Sequence, residues 1–241
     1  MMGETHTVRR AIIMAAGTGT RLRPLTLTTP KPLIRVNGVR MIDTVIRALH
    51  ANGISEIYVV VGHLKAQFTG LPEEYPGLQL IENPWYDTCN NISSLYAARA
   101  HLQDCVILDG DQIIYNPAVL EPRFERSGYN AVWREDWTNE WMMDVEDDIV
   151  KCCSRTGGSR GWQLYSISRW TAEDGRRLRH HLEQEFEGGN RQIYWDDVAM
   201  FCHFDEYRLG IRPMSAHDVT EIDDLQELAR VDSSYAALLE G

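Results

Sequence analysis

Residues Ala11 to Leu33 read AIIMAAGTGTRLRPLTLTTPKPL. The run Ala11–Ala16 is apolar and short, the pattern of a strand buried on both faces of a parallel sheet. Gly17-Thr18-Gly19-Thr20 follows, a turn whose glycines admit unusual backbone angles and the close approach of a ligand. Arg21, Arg23, Lys31 and Arg35 come next, punctuated by Pro24, Pro30 and Pro32, and no acidic residue occurs between Thr5 and Ile42. A strand, a glycine turn with free N–H groups and a cluster of fixed cations make a site for phosphates. The spacing fits neither a Walker-type P-loop nor the dinucleotide fingerprint Gly-x-Gly-x-x-Gly.

This basic segment stands on an acidic body. The 241-residue chain has a formal net charge of −11, which argues against a general nucleic-acid binder. Its length suits one domain, 1–241, with a sizeable core. The five cysteines show no metal-binding spacing, and adjacent Cys152-Cys153 read as ordinary thiols of a reduced, cytoplasmic protein. No stretch reaches membrane-spanning length, and the apolar run behind the N-terminus is too short for a secretory signal. The oligomeric state is not legible.

Outward from the signature, Met41, Ile42, Val45, Ile46 and Leu49 recur at helical spacing, and Asn52-Gly53 reads as their stop. Ile57–Val61 and Leu78–Ile81 are further strand candidates, with a short helix expected between them. Strand, helix and strand in alternation predict a doubly wound, Rossmann-like α/β fold with a mostly parallel mixed sheet. Ligands of such sheets bind beyond the carboxyl ends of the strands. Asn90-Asn91-Ile92-Ser93-Ser94 precedes an alanine-rich helical stretch, Tyr96–Leu102, and reads as its N-cap. Cys105–Leu108 is a fourth strand candidate ending in Asp109-Gly110-Asp111, an acidic pair where Mg²⁺ can meet phosphate oxygens. On composition alone, a solvated turn fits that pair equally well.

Two later segments set aromatic rings among carboxylates: Val132-Trp133-Arg134-Glu135-Asp136-Trp137-Thr138-Asn139-Glu140-Trp141 and Ile193-Tyr194-Trp195-Asp196-Asp197. Any single tryptophan is more often core. Rings interleaved with negative charge are what a quaternary ammonium requires, at roughly 0.5–2 kcal/mol per cation–π contact.

The string Ala11–Leu33 resembles the signature of nucleotidyltransferases that couple a nucleoside triphosphate to a phosphorylated small molecule. The resemblance narrows at Arg134-Glu135-Asp136-x-Thr138-Asn139-Glu140-Trp141 and Tyr194-Trp195-Asp196, with support from Gly62-His63-Leu64-Lys65-x-Gln67-Phe68 and Asn90-Asn91. These look like segments of the bacterial CTP:phosphocholine cytidylyltransferases, and the likeness runs from Arg10 to about Leu228. It implies that Ala16, Gly17, Thr18, Gly19 and Thr20 wrap the triphosphate, with Arg21 and Lys31 as the catalytic cations. Ser94 would then lie against the base, with Asp109 also on the nucleotide. Asp111 and Asp223, the latter from Glu221-Ile222-Asp223-Asp224, would hold Mg²⁺, leaving Asp224 to cap the last helix. Glu140, Trp141, Tyr194 and Asp196 would take the choline end, while Trp133 and Trp137 stay unassigned. Lys151–Arg160 matches no pattern of the family.

The implied reaction is in-line attack of phosphocholine on the α-phosphorus of CTP, giving CDP-choline and pyrophosphate. Two other acceptors suit the same fold, a sugar 1-phosphate and 2-aminoethylphosphonate. Outside enzymology, a nucleotide-binding regulatory subunit remains an option, opposed by the joint presence of Arg21, Lys31, Asp111 and Asp223.

Overall fold

A computed structural model describes residues 4–239. Its central sheet begins with the expected strand, β1 (Arg10–Ala15), followed by α1 (Met41–Ala51), β2 (Glu56–Val61) and β3 (Leu78–Glu82). After α2 (Ile92–Ala97) comes β4 (Cys105–Asp109). These four strands are parallel and lie in the order β3-β2-β1-β4. The apolar runs reflect burial on both faces: Ile12 and Met14 enter one core, Ala11, Ile13 and Ala15 the other. Helix α1 ends where Asn52-Gly53 predicts. Gly53 adopts φ +75°, and the amides of Gly53 and Ile54 bond back to His50 and Leu49, closing the carbonyls of the last turn.

From Gly128 onward most pairing is antiparallel, the exception being the parallel pair of Gly128–Ala131 with Gly210–Pro213. The strands are β5 (Gly128–Arg134), β6 (Met142–Glu146), β7 (Ile149–Ser154), β8 (Gly161–Trp170) and β9 (Gly210–Pro213), with α3 (Ala172–Glu187) after β8. The long β8 runs antiparallel to β4 through Ile167–Trp170, so its first half extends past the carboxyl end of β4. The β6–β7 hairpin pairs with that overhang at Gln163 and Trp162. A roof is thereby built over the ends of the parallel strands.

The chain passes from β1 to β2 and β3 on one side, then returns to β4 on the other. That reversal lies between β1 and β4, where doubly wound sheets hold their ligands. A corner of two short strands, Gln112–Ile114 and Val219–Glu221, closes the cleft from below, and α4 (Leu225–Val231) follows it.

One local expectation is corrected. The Asn90–Ser94 segment does not cap a later helix with its side chains; α2 starts inside it, at Ile92, and ends at Ala97. Asn83 at the end of β3 donates to the hydroxyls of both Ser93 and Ser94. Asn91 Oδ1 accepts from the Trp195 amide instead of from its own helix. Tertiary partners outcompete local capping. Asp224, by contrast, does cap α4, accepting from the Glu227 amide.

Candidate active site

The signature turn forms the floor of a cleft of about 300 Å³ lined by Ala16, Gly17, Gly19, Thr20, Arg21, Lys31, Ser94, Asp109, Asp111, Glu221 and Asp223, among others. Gly19 has φ +59°, and a Cβ there would meet Thr26 Cγ2 at 2.8 Å. A Cβ on Gly17 would meet no atom within 4 Å. The first glycine therefore keeps space clear, while the second makes the turn possible. Thr18 is not among the lining residues. His63 and Gln67 brace the turn from outside, bonding the carbonyls of Thr26 and Thr28.

Lys31 is buried at the base of the cleft. Its Nζ lies 2.5 Å from Asp111 Oδ2 and 3.0 Å from Asp223 Oδ1. Burial draws its pKa down, but the two carboxylates outweigh burial and hold the ammonium above its ordinary value. Arg21 donates to the same Asp223 oxygen at 2.8 Å while its guanidinium remains exposed at the mouth.

Three carboxylates converge beside this pair. Asp109, Asp111 and Glu221 offer oxygens that all lie within 4.8 Å of one another. Asp109 and Glu221 are both pushed well above the carboxylate range, by burial first and then by neighbouring negative charge. Asp111 Oδ1 is buried with no hydrogen-bond partner. An all-oxygen set short of positive charge, with an orphaned carboxylate oxygen, fits a hard cation such as Mg²⁺. Asp223, the expected second metal carboxylate, stands next to this set with Oδ1 held by Arg21 and Lys31. Glu221, absent from the expected site, stands within it. The alternation of a strand is the signal that could have found it. Glu221 and Asp223 share one face, and Ile222 between them is fully buried on the other.

A second compartment of about 200 Å³ opens off the first and shares Arg21, Asn91, Asp109, Glu221 and Asp223 with it. Its remaining wall includes Glu140, Trp141, Gln163, Ser166, Tyr194 and Asp196. All four residues assigned to the acceptor end thus meet in one place. The β6–β7 roof brings Trp141 in, with the Leu164 amide bonded to the Trp141 carbonyl. The Trp141 and Tyr194 rings stand edge to face, 5.9 Å apart. Asp196 Oδ1 and the Tyr129 hydroxyl are both buried with no partner at hydrogen-bond distance; burial pushes the Asp196 carboxyl up to about 7, the nearby Tyr129 hydroxyl opposing the rise and Asp197 adding to it.

The other aromatics separate cleanly. Trp195 is core, packed on Tyr129 and Trp170. Trp133 and Trp137 are exposed outside both compartments. Arg155, from the unmatched 151–160 stretch, supplies what the sequence did not foretell. Its guanidinium lies 3.8 Å from the Phe201 ring centre and 5.7 Å from that of Trp141, and it pairs with the buried Asp197. Neither Arg155 nor Phe201 is among the residues that line the second compartment.

A glycine turn with fixed cations facing a carboxylate cluster at the switch point of a doubly wound sheet is the arrangement of a nucleotidyltransferase. Residues 11–185 match the model of the MobA-like NTP transferase domain, and the chain belongs to that family. It is 43% identical over 240 residues to the 2-aminoethylphosphonate cytidylyltransferase of Lancefieldella rimae, covering 98% of this chain and 97% of the relative. It is 33% identical to the choline-phosphate cytidylyltransferase of Streptococcus pneumoniae, covering 92% and 96%. The solved CTP:phosphocholine cytidylyltransferase of Streptococcus pneumoniae superposes with a TM-score of 0.85 at 32% identity, covering 94% of this chain and 99% of that one. The inositol-1-phosphate CTP transferase of T. maritima, at 17% identity and TM-score 0.75, shares the fold. Among the described residues no helix is long and apolar enough to cross a membrane.

Proposed function

We propose that this enzyme transfers the cytidylyl group of CTP to a small phosphonate bearing a primary amine, 2-aminoethylphosphonate, with release of pyrophosphate. This reverses the order of acceptors expected from the sequence, where phosphocholine led. The observation that carries it is the buried, unpartnered Oδ1 of Asp196 beside Trp141 and Tyr194. A primary ammonium can donate to that oxygen, whereas a trimethylammonium has no N–H to give. The relative that is 43% identical carries the same acceptor in its name. Phosphocholine stands as the second reading, supported by the Trp141–Tyr194 ring pair and the 33% identical relative.

The chain's residues divide the work by charge. The attacking phosphonate oxygen is already anionic, so neither a covalent intermediate nor a strong general base is needed. The obstacle is repulsion between two anions and the charge that develops on the leaving pyrophosphate. The amides of residues 17–20 and the Arg21 guanidinium would take the β- and γ-phosphates, and Lys31 would neutralise the reacting oxygens. Ser94 lines the same cleft and would lie against the base. Asp109, Asp111 and Glu221, with Asp223 beside them, would hold Mg²⁺, which would supply further positive charge to the phosphates. Asp196 and the rings would fix the far end of the nucleophile, making the encounter effectively unimolecular. Five free cysteines suit a reducing cytoplasm.

Pyrophosphate release with Mg²⁺ tests this directly, crossing CTP, UTP, dTTP and ATP with 2-aminoethylphosphonate, phosphocholine and glucose 1-phosphate. Turnover should be highest with CTP and 2-aminoethylphosphonate. A preference for phosphocholine would retain the cytidylyltransferase and reject the role given to Asp196. No turnover with any pair would reject catalysis.

A further inference from the structure

Five residues line both compartments: Arg21, Asn91, Asp109, Glu221 and Asp223. Four of them are a guanidinium and three carboxyl groups; Asn91 is the neutral one. Every polar atom of Asn91 but one is engaged within the protein. Its backbone amide donates to Asn90 Oδ1 at 2.7 Å. Its carbonyl accepts from the amides of Ser94 and Leu95 at 2.9 and 3.3 Å as α2 begins. Its side-chain oxygen accepts from the Trp195 amide at 2.8 Å. Nδ2 makes no hydrogen bond among the described residues.

That arrangement fixes which way the carboxamide faces. The Trp195 amide needs an acceptor, so the group cannot turn over without setting two donors against each other. Trp195 is 1% exposed and packed on Tyr129 and Trp170, which makes the anchor rigid. We propose that Asn91 Nδ2 donates to a non-bridging oxygen on the α-phosphorus of CTP, which makes Asn91 a further catalytic residue; this rests on the cytidylyl transfer already proposed.

The reaction places a need for such a donor at the junction. The acceptor oxygen forms a bond to the α-phosphorus as the bond from that phosphorus to the bridging β-oxygen breaks, and pyrophosphate leaves with the electron pair. With the nucleotide in one compartment and the acceptor in the other, this exchange falls where the two meet. Negative charge spreads over the non-bridging oxygens of the transferring group, beside a wall rich in carboxyl groups. Arg21 and Lys31 are both engaged by Asp223, whereas the Asn91 NH₂ is committed to no group of the protein. A donor already oriented needs no reorganisation at the moment of transfer. The bond to Trp195 also ties the start of α2 to the segment carrying Tyr194 and Asp196, setting donor and acceptor walls in one register.

CTP with sulfur at one non-bridging α-position, as separate Sp and Rp diastereomers, tests this with Mg²⁺ and with 2-aminoethylphosphonate or phosphocholine as acceptor. Asn91→Ala should lower kcat with CTP by about 10²-fold. Sulfur accepts hydrogen bonds poorly, so the diastereomer whose sulfur faces Asn91 loses little more in the variant. The Sp-to-Rp ratio of kcat should therefore change by about tenfold. The preference of Mg²⁺ for oxygen over sulfur is common to wild type and variants and cancels in that comparison. Asn91→Asp keeps an oxygen for the Trp195 amide and removes the donor; it should hold the wild-type Tm and lose kcat to the same degree. An unchanged kcat in Asn91→Ala, an equal loss for CTP and both diastereomers, or a fully active Asn91→Asp would each overturn the proposal. The α-phosphate belongs to the nucleotide, so the same ratio change with phosphocholine as the better acceptor would correct the acceptor and uphold Asn91. No turnover by the wild type with either acceptor would reject the transfer itself and the role of Asn91 with it.

Discussion

Lys31 Nζ lies 3.0 Å from Asp223 Oδ1, a contact between residues 192 positions apart. With Asp111 on its other side, Lys31 ties the signature loop, the end of β4 and the corner before α4 to one buried ammonium. Under the proposed reading the same group would also meet an incoming phosphate, so structure and chemistry would draw on one charge.

Lys31→Ala should lower kcat by about 10²–10³-fold, the range seen when one preorganised electrostatic donor is removed. The KM for the phosphonate should stay within about threefold, because Lys31 does not line the acceptor compartment. Steady-state kinetics in both substrates decides it. A loss confined to KM would remove Lys31 from the reacting centre.

The two glycines of the turn should separate binding from folding. Gly19→Ala forces a residue at φ +59° against Thr26 and should cost about 1–3 kcal/mol in chemical unfolding. Gly17→Ala meets nothing in the protein and should leave stability within about 0.5 kcal/mol. Its methyl group would enter the space kept for triphosphate, so the KM for CTP should rise by tenfold or more.

Asp196 predicts two pH effects. Its folded pKa of about 7 exceeds the unfolded value of about 3.9. The stability linked to its proton is therefore complete below about pH 4 and lost as pH rises through about 7. Asp196→Asn should be more stable than the wild type at pH 8, by about 1–3 kcal/mol, and the gap should shrink by pH 5. Binding an ammonium requires the carboxylate. In the wild type, kcat/KM for 2-aminoethylphosphonate should fall as pH drops below about 7, and the Asn variant should lack that part of the limb. Identical profiles for the two proteins would rule out a salt link at Asp196.

How much of this was legible beforehand depends on the range of the interactions. The four parallel strands, α1 with its Gly53 stop and the Asp224 cap were readable because periodicity, turn chemistry and capping act within a few residues. The glycine turn and the cations after it were legible as one continuous stretch, and the structure sets Ala16, Gly17, Gly19, Thr20, Arg21 and Lys31, though not Thr18, along one cleft. The helix start at Ile92 was misjudged because Asn83 and Trp195, distant in the chain, claim the polar groups that would otherwise have capped locally. Arg155 was invisible because its position on two rings depends on the β6–β7 hairpin folding over the end of β4.

The sequence by itself determined the glycine turn with its basic flank, the doubly wound sheet and the sign of the charges that must meet. Each is set by local spacing or by residue type. Only the tertiary structure decided which carboxylates gather, that Glu221 joins Asp109 and Asp111, and that Trp195 is core while Trp141 is wall. It also decided that Arg155 pairs with the buried Asp197 and lies against Phe201. These outcomes turn on strand order and on the overhang of β8, which bring together side chains that no local rule relates.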